Sequence, residues 1–374
     1  MKIGIMSMHR ILNYGSFMQA LSLKLMLEEL GHEVEFVDYH VGPLVNERKN
    51  YKKILKKRLK QTYFGETLKQ IYYKCFLRRS IWEGEPDKVQ SFVSCYPMLG
   101  IDKKKRYRSK VDVLIIGSDE VFNCIQNNRD VGYSMELFGK SNRAKRLISY
   151  AASFGNATYD KLQQYGVCDE LSYLLKRFDA ISVRDNNSFD IICRLTGEIP
   201  TENLDPVLVG GVEKLNWASH KEQDYIIVYG YANRFSASEA KIIQKFAKQK
   251  KLKTIGLCEP QNFCDENIRC RPDEIISYFK HASYVVTDTF HGVIFATICH
   301  VPFAAYCRSQ SDSGFTNQEK LMDLLNRLKL TNRLMKEGES LNAIFEKKID
   351  FESIDTYRLE ERNKTIEFLK RNIK

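Results

Sequence analysis

No apolar run in this sequence approaches the roughly 18 residues that a membrane-spanning helix requires. The best candidate begins at Val293 and is cut by His300 and Pro302, so no spanning segment is expected. The N-terminus, Met1-Lys2-Ile3-Gly4-Ile5, reads as a strand, and charged residues recur too soon for the apolar stretch of a secretory leader. The ten cysteines contain no CxxC pair. Cys258, Cys264 and Cys270 are spaced six apart, which matches no zinc or cluster pattern. Free thiols in a reducing cytoplasm, and no metal site, are therefore expected. GxGxxG is missing after the first strand, so there is no dinucleotide signal and no cofactor is expected. Low-complexity stretches and short-period repeats are missing too. No zinc module, helix-turn-helix or aromatic ribonucleoprotein signature accompanies the positive charge, which argues against nucleic acid as a partner.

What remains is an ordinary globular composition of 374 residues, 43% hydrophobic and 28% charged, with a net charge of +11. That length accommodates two domains. The charge favours anionic partners: phosphates, or an acidic lipid surface that would allow a peripheral position at the inner face of the plasma membrane. "KIGIM" reads as a strand, "LNYGS" as a turn, Ser16 to Leu30 as a helix ended by Gly31, and "VEFVDY" as a second strand. Strand, helix, strand is a parallel unit. Residues 42–110 depart from this scheme. They hold the basic runs 48–60 and 103–110 with interleaved Tyr, Phe, Leu and Ile, and read as a helical insertion.

Alternation then resumes. Strands are expected at 111–117, 146–155 and 179–185, and a short one within "NLDPVLV" (203–209). A second series starts near 224: "DYIIVYGY", "KTIGLC", "SYVVT" and "PFAAYC" as strands. The intervening helices include "RPDEIISYFK", with Pro in its first turn, and "NQEKLMDLLNRLKL". The fold class expected is α/β, with two Rossmann-like domains facing a cleft. Residues 1–210 form the first domain, 211–345 the second, and 346–374 include a helix that packs back across the junction. Ligands in such sheets sit outside the carboxyl ends of the strands, where every polar turn of this chain falls.

Each turn has a chemical and a plain structural reading. In "VTDTFHG", Asp288 and Thr289 end a strand and His291 lies in the first turn of a helix, where an anion is stabilised. The ring can donate to a phosphate or move a proton, or Thr289 merely caps the helix. Gly292 allows close approach of a ligand or backbone. In "LNYGS", Asn13 and Gly15 suit either a tight turn or an acceptor contact, and Gln19 would face cleft or solvent. In "GSDEVFN", Asp119, after Gly117 and Ser118, either accepts a hydroxyl proton or caps the turn. Arg184, at a strand end, either holds a carboxylate or phosphate or pairs with a nearby acid. The basic runs are either solvated faces or docking sites for anionic lipid headgroups.

"NYGSFMQALSL", "VDVLIIGSDEVFN", "SYAASFG", "ISVRDNNS", "LDPVLV" and "VTDTFHGVIFATICHVPF", in that order, together resemble the polysaccharide pyruvyl transferase family from residue 2 to about 330. The resemblance implies a glycosyltransferase-B-like architecture. It implies phosphoenolpyruvate as donor and, as acceptor, a sugar of a surface polysaccharide such as capsule or exopolysaccharide, or its lipid-linked precursor. The product would be a pyruvate ketal. By resemblance, His291 would sit on the phosphate and act as acid, and Arg184 would clamp the donor. Asn13, Tyr14 and Asp119 would face the acceptor, Ser118 and Thr289 would be among the substrate-binding residues, and Asp288 would join His291 and Asp119 as a catalytic residue. Many relatives carry Arg where this chain has Thr289, and Arg308 is the candidate to replace it. Glu120 and Phe122 stand where Gln and Trp are frequent. A nucleotide-sugar glycosyltransferase and a non-catalytic glycan-binding relative are the competing readings.

Overall fold

The computed structural model describes residues 1–45, 88–217, 223–308 and 318–374. The first half runs β1 (Lys2–Met6), α1 (Tyr14–Glu29), β2 (Glu33–Phe36), α2 (Lys88–Ser94), α3 (Tyr96–Leu99), β3 (Val113–Asp119) and β4 (Arg146–Ala152). It continues through α4 (Tyr159–Gln164), α5 (Cys168–Leu175), β5 (Ser182–Val183), α6 (Asn186–Thr196), β6 (Thr201–Glu202) and α7 (Pro206–Val209). The second half runs β7 (Tyr225–Gly230), α8 (Ala237–Lys250), β8 (Lys253–Cys258), β9 (Glu266–Asn267), α9 (Ile275–His281), β10 (Tyr284–Thr287) and α10 (Phe290–Ile298). After β11 (Phe303–Ala305) come α11 (Gln318–Arg327), α12 (Leu341–Glu346) and α13 (Phe351–Ile373).

The strands form two sheets, ordered β2-β1-β3-β4-β5-β6 and β11-β10-β7-β8-β9. Every pairing within them is parallel. β3 is buried along its whole length, as a central parallel strand covered on both faces must be. This is the α/β, glycosyltransferase-B-like plan: two Rossmann-like halves with their strand ends turned to a common cleft.

One apolar core joins the halves. It runs from Ile3, Ile5 and Ile115 in the first sheet, through Phe17 and Leu21 of α1, to Val293 and Phe295 of α10 and Ile227 in the second sheet. Smaller clusters cover the outer faces of the two sheets. α1 is accordingly buried nearly all round, Met18, Leu23 and Met26 included, rather than along one stripe. α13 ties both halves from outside. His300 Nε2 lies 2.8 Å from Asp355, the Arg358 Nε donates to the Leu208 carbonyl at 2.8 Å, and Thr365 meets the Tyr150 hydroxyl at 3.4 Å.

Three expectations change. The strand near 203–209 is only Thr201–Glu202; Pro206–Val209 is a helical turn capped by Asp205, because Asp followed by Pro is a helix start. The helix expected from Pro272 begins at Ile275, the preceding residues forming a turn in which the Arg271 amide donates to Glu274 Oε2. Within the described part of the insertion, α-helix is confined to α2 and α3; residues 46–87, run 48–60 included, lie outside the described residues, and run 103–110 is exposed coil. Arg10 holds that coil's carbonyls at Asp102 and Lys104, and the Arg106 amide donates to Asp38. Among the described residues no helix is long and apolar enough to cross a membrane.

Candidate active site

A cleft of about 690 Å³ opens between the carboxyl ends of the two sheets. From the first half, Asn13 and Ser16 reach it at the start of α1, Asp119 and Glu120 at the end of β3, and Arg184 at the end of β5. From the second half come Tyr229 at the end of β7 and Arg234 after it, Asp288 and Thr289 between β10 and α10, Phe290 and His291 in the first turn of α10, and Lys320 on α11. The starts of α1 and α10 both lie at this cleft, so the positive ends of two helices face it.

His291 is at the centre. Its side chain is 14% exposed, so the ring sits in the wall of the cleft. Its Nε2 lies 2.8 Å from Gln19 Nε2 and 3.5 Å from Asp205 Oδ2. The Gln19 carbonyl oxygen accepts from Arg184 at 3.0 Å, which turns its NH2 toward the ring. When neutral, the ring accepts at Nε2 from Gln19 and carries its proton on Nδ1; when charged, it presents Nε2–H toward Asp205. The Nδ1 edge is packed against Gly15, where a β-carbon would stand 2.1 Å from that nitrogen. Gly15 is thus required by the ring.

Arg184 forms the floor. Its NH1 donates to Asp205 at 2.9 Å and its NH2 to Asp119 at 3.4 Å, while the Phe290 ring lies 4.9 Å away. Asp119 has φ +82°, a conformation that Asp tolerates better than most residues. It also accepts from the Ser16 hydroxyl at 2.6 Å. Burial resists its ionisation, but Arg184, His291 and the Ser16 hydroxyl outweigh burial and hold its carboxyl below the usual range. Burial likewise opposes ionisation of Asp205, and the His291 ring, Arg184 and the Val207 amide overcome it.

A second charged group lies beside α10. Asp288 accepts from Arg308 Nε at 3.2 Å and lies 3.9 Å from Arg234. Here burial prevails over the two guanidinium groups, and the Asp288 carboxyl is pushed up. Lys320 and Glu120 pair across the cleft at 2.5 Å, and Asn13 Nδ2 donates to the Tyr231 hydroxyl across it at 2.8 Å.

The structure brings Asn13, Asp119, Arg184, Asp288, Thr289 and His291 together at the cleft, with Gly15 and Gln19 against the ring. Gln19 faces neither cleft nor solvent: it is fully buried and holds His291. Tyr14 is 1% exposed and donates to the Cys270 carbonyl, because the first turn of α1 points it into the shared core. Ser118 is buried and bonds the Ala151 carbonyl. Gly292 makes room not for a ligand but for the Thr287 hydroxyl, 2.1 Å from where its β-carbon would stand. Thr289 caps α10 through the Gly292 amide and lines the cleft as well. Arg308 does not replace the arginine missing at 289: it is buried on Asp288 and Glu239. The two-pronged clamp expected of Arg184 is likewise taken up by Asp119 and Asp205. Sequence reasoning missed Asp205, Arg234, Tyr231 and Lys320. Only Asp205 had a signal, the Asp-Pro helix start. Among the described residues no group of three or more His, Cys, Asp or Glu is placed to hold a metal ion.

A family model described as polysaccharide pyruvyl transferase matches residues 13–306. No curated protein matches the chain. Among solved structures, S. aureus MnaA with UDP aligns with TM-score 0.47 and 11% identity, over 96% of this chain and 91% of that one. The Methanocaldococcus jannaschii UDP-GlcNAc 2-epimerase with UDP-GlcNAc and UDP gives 0.41 and 10%, over 99% and 100%. An alpha-glucosyltransferase with UDP-glucose and abasic DNA gives 0.45 and 12%, over 100% and 95%.

Proposed function

The chain belongs to the polysaccharide pyruvyl transferase family, a family of polysaccharide-modifying transferases, and from that premise we propose that it moves pyruvate from phosphoenolpyruvate onto two hydroxyls of one sugar. The acceptor is a surface polysaccharide or its lipid-linked precursor, and the product is a cyclic ketal. The observation that carries this reading is the His291 ring set in the cleft between Gln19 and Asp205.

On this reading His291 delivers a proton to the methylene carbon of the donor. Its ring is balanced by the Asp205 carboxylate when it is charged. The neighbouring carbon becomes an oxocarbenium-like centre, and a sugar hydroxyl adds to it. The carbon–phosphate oxygen bond then breaks, and a second hydroxyl closes the ketal. Of the two hydroxyl protons, one replaces the proton given by His291 and one leaves with phosphate, so the reaction balances without an oxidant. Asp119 accepts from the incoming hydroxyl. A carboxyl held below its usual range is a poor base, so it orients that hydroxyl and takes its proton only as the new bond forms. Lys320 and Arg234 are the cations placed to meet the donor's phosphate and carboxylate in place of the arginine missing at Thr289. Arg184 acts through Asp119, Asp205 and Gln19 as a positioning residue. The exposed basic coil at 103–110 would favour an anionic membrane surface, where a lipid-linked acceptor is presented.

Thermal-shift titration tests the donor. Phosphoenolpyruvate at a hundred times its Kd should stabilise the protein by about 2.7 kcal/mol, roughly 3 °C for a chain of this size. Incubation with lipid-linked precursors should then release phosphate and raise the product mass by one pyruvyl ketal. Stabilisation by uridine or guanosine nucleotides with none by phosphoenolpyruvate would overturn the proposal in favour of glycosyl transfer.

A further inference from the structure

The wall of the cleft that follows β3 differs from the rest. Its lining residues are Asn123, Ile125, Gln126, Asn127, Asn128 and Val131, none of them charged. Asn123 is 3% exposed. Its Nδ2 donates to Glu120 Oε2 at 2.9 Å and to Asn156 Oδ1 at 3.1 Å, which fixes the amide's orientation. Its Oδ1 is buried and has no hydrogen-bond partner. Three residues on, Gln126 Nε2 is buried and has none either. Gly155 keeps Asn123 in place: a β-carbon there would stand 2.6 Å from Asn123 Nδ2.

An orphan acceptor and an orphan donor on one wall are costly in a folded protein. They are complementary to one chemical group that both gives and takes a hydrogen bond, the hydroxyl. The neighbouring Ile125 and Val131 suit the C–H face of a sugar ring. Of the cleft's cations, Lys320 meets this wall only through its pair with Glu120, and Arg234 stands beside Asp288 in the second half. We propose that this wall is the acceptor subsite and binds a neutral sugar, with Asn123 Oδ1 accepting from one hydroxyl and Gln126 Nε2 donating to another. The inference rests on the transferase reading above and adds the class of sugar unit that reads this wall. Both orphan atoms are shielded in the structure, so a side-chain rearrangement, ordinary on binding, must expose them to the sugar.

The test uses the full-length protein with methyl β-glucoside and methyl β-galactoside as neutral probes and methyl β-glucuronide as the charged one. Binding is read by saturation-transfer NMR and calorimetry, with and without phosphoenolpyruvate. Neutral glycosides should bind more tightly than the glucuronide by about tenfold or more. Gln126→Met should weaken them about fivefold, the worth of one neutral hydrogen bond. The same variant should melt at the wild-type temperature or above, since it removes an unsatisfied polar atom; a scaffold role would lower the melting temperature instead. Asn123→Ala should also weaken glycoside binding. Stronger binding of the glucuronide overturns the inference, as does glycoside affinity indifferent to both variants. If phosphoenolpyruvate stabilises the protein while no glycoside binds, the subsite is wrong and the donor reading stands. If glycosides bind as expected while phosphoenolpyruvate does not, the subsite stands and the donor falls.

Discussion

Asp205→Asn is the sharpest probe of how the cleft floor is held. The change keeps the side chain's shape, and its amide oxygen can still accept from the Val207 amide, the cap that starts α7. What it removes is charge. In the native floor Asp205 accepts from Arg184 NH1 at 2.9 Å, with both side chains almost fully buried, and Asp119 supplies the second carboxylate at 3.4 Å. Stranding a buried cation outright costs about 3–5 kcal/mol. Asp119 and Gln19 remain, so the lower end, about 3 kcal/mol, is the reasoned value. For 374 residues the unfolding entropy near the midpoint is roughly 0.8 kcal/mol/K. The expected loss is therefore roughly 4 °C in melting temperature, measured by calorimetry at pH 7. The ring of His291 loses its facing carboxylate at the same time, so kcat should fall by at least about tenfold, equivalent to about 1.4 kcal/mol. A variant within about 1 °C of wild type, turning over at the wild-type rate, would refute the claim that Arg184, Asp205 and His291 work as one unit.

The other predictions concern the ring, the donor's anions and acid. Gly15→Ala should cost turnover about as much as His291→Ala, about 10²–10⁴-fold, with circular dichroism unchanged, because a methyl group 2.1 Å from Nδ1 must expel the ring; wild-type turnover in Gly15→Ala would show that the ring's position does not matter. Lys320→Met and Arg234→Met should each raise the KM for phosphoenolpyruvate about tenfold with a smaller effect on kcat, and an unmoved KM in both removes them from the donor site. The carboxyls of Asp119 and Asp205 are depressed in the fold, so the unfolded chain takes up more protons below the ordinary value of 3.8 and stability falls as pH drops through the depressed values. Asp288 is shifted the other way, so its contribution grows as pH falls from neutral toward the acid range. Urea midpoints from pH 7 to pH 3 should show a steep acid limb that Asp205→Asn flattens; an acid limb unchanged in that variant would sink this assignment.

Much of the architecture was legible because buried parallel strands are written as short apolar runs, and each run here stops at a polar turn. "VDVLIIG", "SYVVT" and "DYIIVYG" announce their strands, and the turns after them supply Asp119, Asp288 and His291. The site's supports were less legible. Asp205 lies in "NLDPVLV", whose apolar residues mimic a strand and mask the Asp-Pro helix start. Tyr14 sits in a polar turn and looks exposed, yet its hydroxyl finds a carbonyl 256 residues away, a contact no local pattern encodes. Arg308 stands at a strand end, as expected of a ligand residue, but Asp288 and Glu239 claim it first. Lys320 belongs to an amphipathic helix, and only the approach of the two halves brings it onto Glu120.

The balance of charge suggests how an anion enters such a site. Among the described groups around the cleft, Arg184, Arg234, Arg308 and Lys320 make four cations. Asp119, Asp205, Asp288, Glu120 and Glu239 make five carboxylates. A donor carrying phosphate and carboxylate cannot simply add to a site already neutral or slightly negative; it must take a cation from a carboxylate. The deeply buried pairs of Arg184 are poor candidates, since breaking them strands a charge away from water. Lys320 and Glu120 are about one quarter exposed, so the lysine can turn to the donor while Glu120 keeps Asn123 as a partner. Asp288 offers the other exchange. Its burial already disfavours the ionised form, so a proton taken up there when the donor arrives would release Arg234 to the new anion. On the proposed reading these two exchanges make Thr289 tolerable at a position where the family resemblance leads one to expect arginine in many members: the missing charge is recovered from neighbours, at the cost of first separating it from a carboxylate.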